Sequence, residues 1–495
     1  MTYATPLPLL AILVAVVAVP LILASAARPR LREAWTIGAA LAMFGLVVAM
    51  LPAVLDGSIP STRLGQIVPG VELALEADAL GMLFALVASS LWILTSVYSI
   101  GYVRGVAEKK QTRYFASFAV CLAATIGVAF SANIITFVIF YEALTVATYP
   151  LVVHKETPEA ISAGRKYLAY TLTAGVALLA AAVWIYQVAG SLDFVPGGLL
   201  EGVDAPAATV RWLFVLFIGG VGVKAAIMPF HAWLPAAMVA PTPVSALLHA
   251  VAVVKSGVFG VIRVVGFVFG PGVMAHYGLA LPLAVVAGFT IIAASVLALA
   301  QDNLKLRLAY STVGHLSYIV LAAALVSRDA FLGGILHITT HATMKITLFF
   351  VAGAIYAHAH RERVSELDGI GRAMPWTMGA FAVAAVGLAG LPPVNGFVSK
   401  WFIGAGAVTG GHELVLVVLM VSGVLNAAYL LPIVHRAFLR PSRQFDGLGE
   451  ASPLMVVPLV ATAGLSVLFG VWPNGLAHLF DLASSVAAAV FGGAA

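Results

Sequence analysis

Residues Arg211–Pro235 read RWLFVLFIGGVGVKAAIMPFHAWLP. A hydrocarbon core about 30 Å thick demands about 20 apolar residues of helix. This run meets that length, encloses one ionisable side chain, Lys224, and then meets Pro229 and Pro235. Proline inside a helix removes a backbone donor and clashes with the preceding turn. The stretch therefore reads as a membrane helix broken beside a buried lysine. The arrangement returns at Gly390–Lys400, GLPPVNGFVSK, where Pro392-Pro393 interrupts a second apolar run and Lys400 follows. Freed backbone at membrane depth is tolerated only where it is buried in protein or lines a wet cavity. Transporters place their ion sites at such discontinuous helices.

Composition supports lipid as the main solvent. The chain has 495 residues, 62% hydrophobic and 9% charged, against about 45–50% and about 25% in soluble domains. Its single cysteine, Cys121, lies in an apolar run, which excludes an intrachain disulfide and any four-cysteine Fe–S or zinc site. The pI near 9.2 does not call for nucleic acid, because the basic residues fall in short loops between apolar runs, where the positive-inside rule puts them. Leu9–Leu23, followed by Ala24-Ser25-Ala26, has a secretory signal's outline. Its charges are reversed, with none before the run and Arg28, Arg30 and Arg32 after it, so it is expected to be a retained first helix.

Runs long enough to span are 7–26, 35–55, 78–103, 114–131, 133–153, 165–189, 210–230, 243–267, 276–299, 306–325, 332–356, 376–407, 413–437 and 452–472. The expectation is an all-α membrane protein of about fourteen transmembrane helices, numbered here as spans 1 to 14. The tail 475–492 is expected to be an interfacial or packed helix. No strand alternation of the kind a barrel needs is evident. Of 26 Lys and Arg, most lie in the loops after spans 1, 3, 5, 9, 11 and 13. The opposite loops hold Arg63, Arg211, Arg263 and Arg328. The first side is therefore expected to be cytoplasmic and both termini periplasmic. Ala, Val and Gly richness suits a bacterial inner membrane.

The breaks in spans 7 and 12 lie five spans apart. Spans 4–8 and 9–13 would then be two five-helix units, each with a broken fourth helix. An odd number of spans per unit forces the second to enter from the opposite side, so the repeat is inverted. Expected divisions are 1–110, 111–270, 271–442 and 443–495.

Lys224, Lys255, Lys345 and Lys400 fall within spans, and Glu142 is the one acidic residue at mid-span. Each buried charge costs about 2.5–3.5 kcal/mol on insertion scales, so these five must face the bundle interior, pair or meet water. Lysine suits proton relay because desolvation brings its proton affinity down towards neutrality. A carboxylate at hand strengthens a lysine's hold on its proton, and withdrawing it weakens that hold. A Glu142–Lys224 pair that opens and closes could thus capture a proton and pass it on. His249 lies six residues before Lys255, and His337, His341 and Lys345 share a helix face at i, i+4 and i+8.

Gly222-Val-Lys224, Pro229-Phe-His231-Ala-Trp233-Leu-Pro235, Ala240-Pro-Thr-Pro-Val-Ser245 and His249 together resemble the antiporter-like membrane subunits. So do Phe140-Tyr-Glu142-Ala, His337-Ile-Thr-Thr-His341-Ala-Thr-Met-Lys345 and Gly390-Leu-Pro-Pro-Val-Asn-Gly-Phe-Val-Ser-Lys400. This superfamily comprises the Mrp-type cation/proton antiporter large subunits, among which the D-type is the nearest likeness, the antiporter-like subunits of respiratory complex I, and their membrane hydrogenase equivalents. The resemblance covers about residues 75–440. It implies key roles for Glu142 on span 5 and for Lys224, Lys255 and Lys400 on spans 7, 8 and 12. Lys345, His249, His337 and His341 are expected to be secondary relay groups. His315 stands where relatives often carry glutamine, and its role stays open between relay and hydrogen-bonding substitute.

The leading expectation is a proton-translocating subunit of a multi-subunit monovalent cation (Na⁺)/proton antiporter. It would have membrane-subunit partners, the bilayer, protons and Na⁺, no nucleic acid, no cofactor and no metal. The alternatives are the proton-pumping arm of an NADH–quinone oxidoreductase or related redox complex, and a membrane partner that couples a proton gradient to another module.

Overall fold

The computed structural model describes residues 1–68, 70–475 and 477–492. Twelve helices among them are long and apolar enough to cross a membrane. Spans 1 to 7 are Leu7–Ala24, Pro29–Leu55, Ala79–Gly105, Gln111–Ala129, Ile134–Val152, Pro158–Ala189 and Ala207–Lys224. Span 8 is Thr242–His276, span 9 Ala280–Leu299, span 11 Arg328–Ala359, span 13 Glu413–Leu439 and span 14 Pro453–Val471. The two remaining expected spans are helical too. Span 10 is Leu304–Ala324, and span 12 is split into Pro375–Ala389 and Gly396–Thr409. The protein is a multi-pass helical membrane protein.

Several limits shift for local reasons. Span 6 begins seven residues before its expected start, because Thr157 caps it through Ala160 N at 3.2 Å with Pro158 at the first helical position. Span 8 runs past 267 to His276 through π-helical segments at Leu247–Val251 and Val264–Phe269. The tail folds as helix Leu479–Phe491, which packs inward with Phe491 on Phe331 and Phe480 on Phe402; residue 476 lies outside the described residues.

The sequence pattern suggests no strands, and the structure corrects this. β1 (Thr2–Ala4) pairs parallel with β2 (Ile59–Val68), which pairs antiparallel with β3 (Val71–Glu76). A search for long apolar runs passes over strands of this length, although Val71–Glu76 does mix apolar and acidic positions.

The loops report the threading. The loop after span 2 bridges to that after span 4 (Leu75–Ser131), and the latter to the loop after span 6 (Asn133–Asp193). At the other end Arg104 bonds Glu33, and Lys110 and Arg113 bond Glu156, whose carboxyl these two cations hold down at about 2. There too Asn303 pairs with Arg363, and Asp368 with Arg436 at 3.0 Å. Loops after even spans thus gather at one end and those after odd spans at the other, as strict up-and-down threading requires.

Arg263 does not sit in a loop, as the sequence suggested. It lies inside span 8 and is 2% exposed. Its guanidinium reaches Asp78 through two bonds of 2.6 and 2.7 Å and is enclosed by the rings of Phe194, Phe259 and Phe267 at 4.6–5.1 Å. Asp78 also caps span 3 through Gly81 N at 2.8 Å, so one carboxylate fixes two spans. Removing one partner of a buried pair costs about 3–5 kcal/mol, because the other charge is left unpaired. Asp78→Ala should therefore lower the thermal unfolding midpoint in detergent, followed by tryptophan fluorescence. Glu72→Ala, which breaks the exposed Arg63–Glu72 contact, should move it hardly at all. Equal shifts for the two variants would remove Arg263–Asp78 from the list of structural supports.

Candidate functional site

The site is built on two helix breaks. Span 7 ends at Lys224, leaving its last carbonyls without helical donors. Other groups take them: the Trp233 indole donates to Val223 O at 2.8 Å, and the Tyr141 hydroxyl to Gly220 O at 3.3 Å. In span 12 the carbonyl of Leu388 should receive a bond from residue 392, but Pro392 has no N–H. Lys400 Nζ donates to Leu388 O at 2.7 Å and Asn426 Nδ2 at 3.3 Å. The proline that breaks the helix therefore creates the acceptor that holds the lysine. Asn395, inside the break, is tied to span 14 by its N–H on Ser466 O (2.9 Å) and to span 11 by its amide on Thr343 Oγ1 (3.0 Å).

Lys224, Lys255 and Lys345 are fully buried, as are His249, His337 and His341, and His315 is 1% exposed. Lys400 is half-buried. It borders an apolar groove of about 630 Å³ that also includes Phe397, Trp401 and Met420. Snorkelling to the membrane surface therefore does not describe Lys224, Lys255 or Lys345.

Glu142 and Lys224 lie on neighbouring spans, but they are not bonded to each other. Lys224 donates to the backbone carbonyl of Tyr141, with its ammonium 3.4 Å from the centre of the Tyr141 ring. The Glu142 carboxylate is half-buried, with Thr145 Oγ1 at 3.5 Å. The expected ion pair is thus open in this structure, because the helix carbonyl and the aromatic face outcompete the carboxylate for the ammonium. Glycines create the space. A Cβ on Gly175 would fall 2.4 Å from the Glu142 carboxyl carbon, and one on Gly257 would fall 2.4 Å from the Lys224 carbonyl carbon.

The second half of the chain is more continuously connected. Lys255 Nζ lies 2.7 Å from His341 Nδ1. His315 Nδ1 lies 3.3 Å from His337 Nε2, and His337 Nδ1 lies 2.8 Å from Ser399 Oγ, the residue before Lys400. The rings of His315 and His341 are 5.6 Å apart. A separate thread starts at Lys345, which donates to Ser311 Oγ at 2.6 Å; Ser311 meets the Tyr429 hydroxyl at 2.7 Å. Tyr429 donates to Asn426 Oδ1, and Asn426 shares Leu388 O with Lys400. Lys345 and Lys400 are therefore joined through side chains and one freed carbonyl.

His249 does not bridge to Lys255 here. Neither of its ring nitrogens has a partner among the described residues, and its ring lies against Phe349 at 4.7 Å. The π-helical turn Leu247–Val251 sets that direction. No hydrogen bond joins Lys224 to Lys255 among the described residues. Sequence reasoning missed Tyr141, Tyr318, Ser311, Ser399, Asn426 and Tyr429. Four of these sit within motifs already quoted or one turn from them. Asn426 and Tyr429 carried a fainter signal, polar groups three apart in an otherwise apolar span.

Comparison with known proteins now has geometry to meet. The family model described as "NADH:quinone oxidoreductase/Mrp antiporter, TM" matches residues 131–426. The chain belongs to this family. The NADH-quinone oxidoreductase subunit N of Desulforudis audaxviator is 32% identical over 374 residues, 75% of this chain and 73% of that protein. A probable K(+)/H(+) antiporter subunit of Rhizobium meliloti is 31% identical over 82% of this chain but only 40% of its own length. Among solved structures, a chain of the Mrp complex from Dietzia sp. DQ12-45-1b superposes with a TM-score of 0.86 at 22% identity, covering 98% of this chain and 97% of that one. A chain of the membrane-bound sulfane sulfur reductase, an archaeal respiratory membrane complex, gives 0.87 at 23%, covering 98% and 100%. At these identities the two structures establish the fold shared across the family.

The Lys345–Lys400 thread makes a specific demand on this family member. Tyr429→Phe removes one hydroxyl and interrupts the thread, while the ring still fills its fully buried site. Ion transport by the assembled protein in everted vesicles should fall several-fold, with the thermal midpoint near wild type because one hydrogen bond contributes about 1 kcal/mol. Transport equal to wild type would show that the Ser311–Tyr429–Asn426 link carries no proton.

Proposed function

We propose that this protein is the proton-translocating subunit of a multi-subunit monovalent cation/proton antiporter, with Na⁺ the expected counter-ion. Protons pass along Glu142, Lys224, Lys255 and Lys400, with His341, His337, His315 and Lys345 as intermediate groups. His249 stays a secondary candidate that has yet to find a partner. One observation carries this reading: three fully buried lysines and a fourth at a helix break each donate to a carbonyl, a histidine or a hydroxyl, and none is spent in an ion pair. A lysine held by neutral groups can give up its proton without stranding a carboxylate, whereas a permanent ion pair cannot. The open Glu142–Lys224 arrangement supports a pair that alternates between joined and separated states.

The five-helix units 111–270 and 271–442 serve in this reading as two linked half-paths, flanked by 1–110 and 443–495. Both termini lie on the periplasmic side of a bacterial inner membrane, in keeping with the basic residues gathered in loops after odd spans. Names of family relatives and the fold shared with subunits of larger complexes support other membrane subunits as partners. A second reading, the proton-pumping arm of an NADH–quinone oxidoreductase, draws on the 32% identity to a subunit N that is matched over 73% of its length. The subunits that co-purify separate the two: small membrane proteins alone favour the antiporter, and flavin and Fe–S proteins favour the redox complex.

The test is cation-dependent dequenching of a pH dye in everted vesicles, normalised to assembled complex. Lys400→Ala should abolish steady-state transport with little loss of assembly, because Leu388 O keeps Asn426 as a donor. Glu142→Gln should also abolish transport, since it removes the mid-span carboxylate while preserving volume. Lys224→Arg should impair it, because arginine does not release its proton. Wild-type flux in Lys400→Ala would end the proposed path elsewhere.

A further inference from the structure

Both lysines at the helix breaks rest on tyrosine rings. Lys224 Nζ lies 3.4 Å from the centre of the Tyr141 ring, and Lys400 Nζ lies 4.9 Å from that of Tyr318. Each ring is pinned by its own hydroxyl. Tyr141 donates to Gly220 O at 3.3 Å on span 7, and Tyr318 donates to Ser422 Oγ at 2.7 Å on span 13. Both tyrosines are fully buried, and each ring packs on a second one, Phe137 at 5.1 Å and His315 at 5.3 Å. In both places the ammonium also takes one backbone carbonyl, that of Tyr141 itself or of Leu388. Tyr141 is on the second span of the first five-helix unit and Tyr318 on the second span of the other. The arrangement therefore occurs once per unit, at matching spans.

We infer that Tyr141 and Tyr318 are positioning residues, whose rings hold the protonated forms of Lys224 and Lys400 at rest beside the breaks. An aromatic face attracts an ammonium and has no such attraction for a neutral amine. Desolvation strengthens the contact, and both sites are inside the bundle. The ring and carbonyl form a neutral seat that retains the charged lysine without a carboxylate. For Lys224 this seat competes directly with Glu142 on the next residue, so the proton-loaded lysine has two positions on one helix turn. For Lys400 there is no carboxylate at the corresponding place, where Ile319 follows Tyr318. The ring and Leu388 O there hold the ammonium by themselves.

The titratable groups around each seat are few. Near Lys224 they are Glu142 and Tyr141 on span 5, Tyr167 on span 6 and Lys255 on span 8. Near Lys400 they are His315 and Tyr318 on span 10, His337 on span 11, and Tyr429 on span 13 through Asn426. The first half of span 12 and span 14 contribute none.

This inference rests on the lysine relay proposed above, and its test separates the two. Tyr141 and, independently, Tyr318 are replaced by phenylalanine and then by mono-, di- and trifluorophenylalanine, each in the full complex in everted vesicles. Fluorination drains the ring's negative face while leaving its shape, so packing and assembly are held constant through the series. Phenylalanine sets the starting profile of transport against pH. Stepwise fluorination should then move the alkaline limb of that profile to lower pH, by about half to one unit in total, with assembly unchanged. The direction follows from the charged lysine losing support and giving up its proton earlier. A flat series at both positions, with Lys224→Arg and Lys400→Ala inactive, would overturn the role of the rings and leave the relay standing. Normal transport by Lys400→Ala and Lys224→Arg would overturn the relay and this inference with it.

Discussion

A carbonyl that loses its helical donor inside a bilayer must find another donor within the protein, because lipid offers none. That constraint organises this molecule. Pro392 deprives Leu388 of its partner, and Lys400 and Asn426 converge on the vacant oxygen. The end of span 7 leaves Gly220 and Val223 to the hydroxyl of Tyr141 and the indole of Trp233. The same geometry solves a second problem. A lysine inside the membrane needs an acceptor, and an open helix end supplies one without adding a negative charge. Break and lysine therefore stabilise each other, and their recurrence in spans 7 and 12 is one physical solution used twice.

The ion pairs fall outside this interior network. Arg263–Asp78 ties spans 3 and 8 together close to the strands, and Glu156 gathers Lys110 and Arg113 at the opposite end. Permanent pairs serve where a fixed joint is wanted. Along the line of buried lysines the partners are neutral, and a proton can leave without exposing an unpaired charge at low dielectric. Glycines at 175 and 257 let backbones approach closely enough for this: each occupies a place where a Cβ would collide with Glu142 or with the Lys224 backbone.

The chain itself disclosed a good deal. Apolar length alone placed fourteen helical segments, since the thickness of hydrocarbon leaves little freedom in how long a span is. Pro229, Pro392 and Pro393 marked the two breaks, and the insertion cost of charge marked Lys224, Lys255, Lys345, Lys400 and Glu142 as interior groups. The family motifs lay in the same stretches. Small elements between spans were less legible. The strands at residues 2–4, 59–68 and 71–76 are held by pairing across the sequence, and Arg263 looked like a loop residue until span 8 was seen to continue through a π-helical turn.

Sequence by itself determined the solvent, the number of spans, the places where helices break and which ionisable groups must be buried, because each follows from the cost of exposing one local group to lipid. Only the tertiary structure decided who meets whom. That Lys224 rests on Tyr141 and not on Glu142, that His341 and not His249 meets Lys255, and that Ser311, Tyr429 and Asn426 join Lys345 to Lys400 depend on the rotation and axial offset of helices far apart in the chain. Apolar periodicity leaves those two quantities free. They are set by interhelical packing and by the freed carbonyls that each break presents to its neighbours.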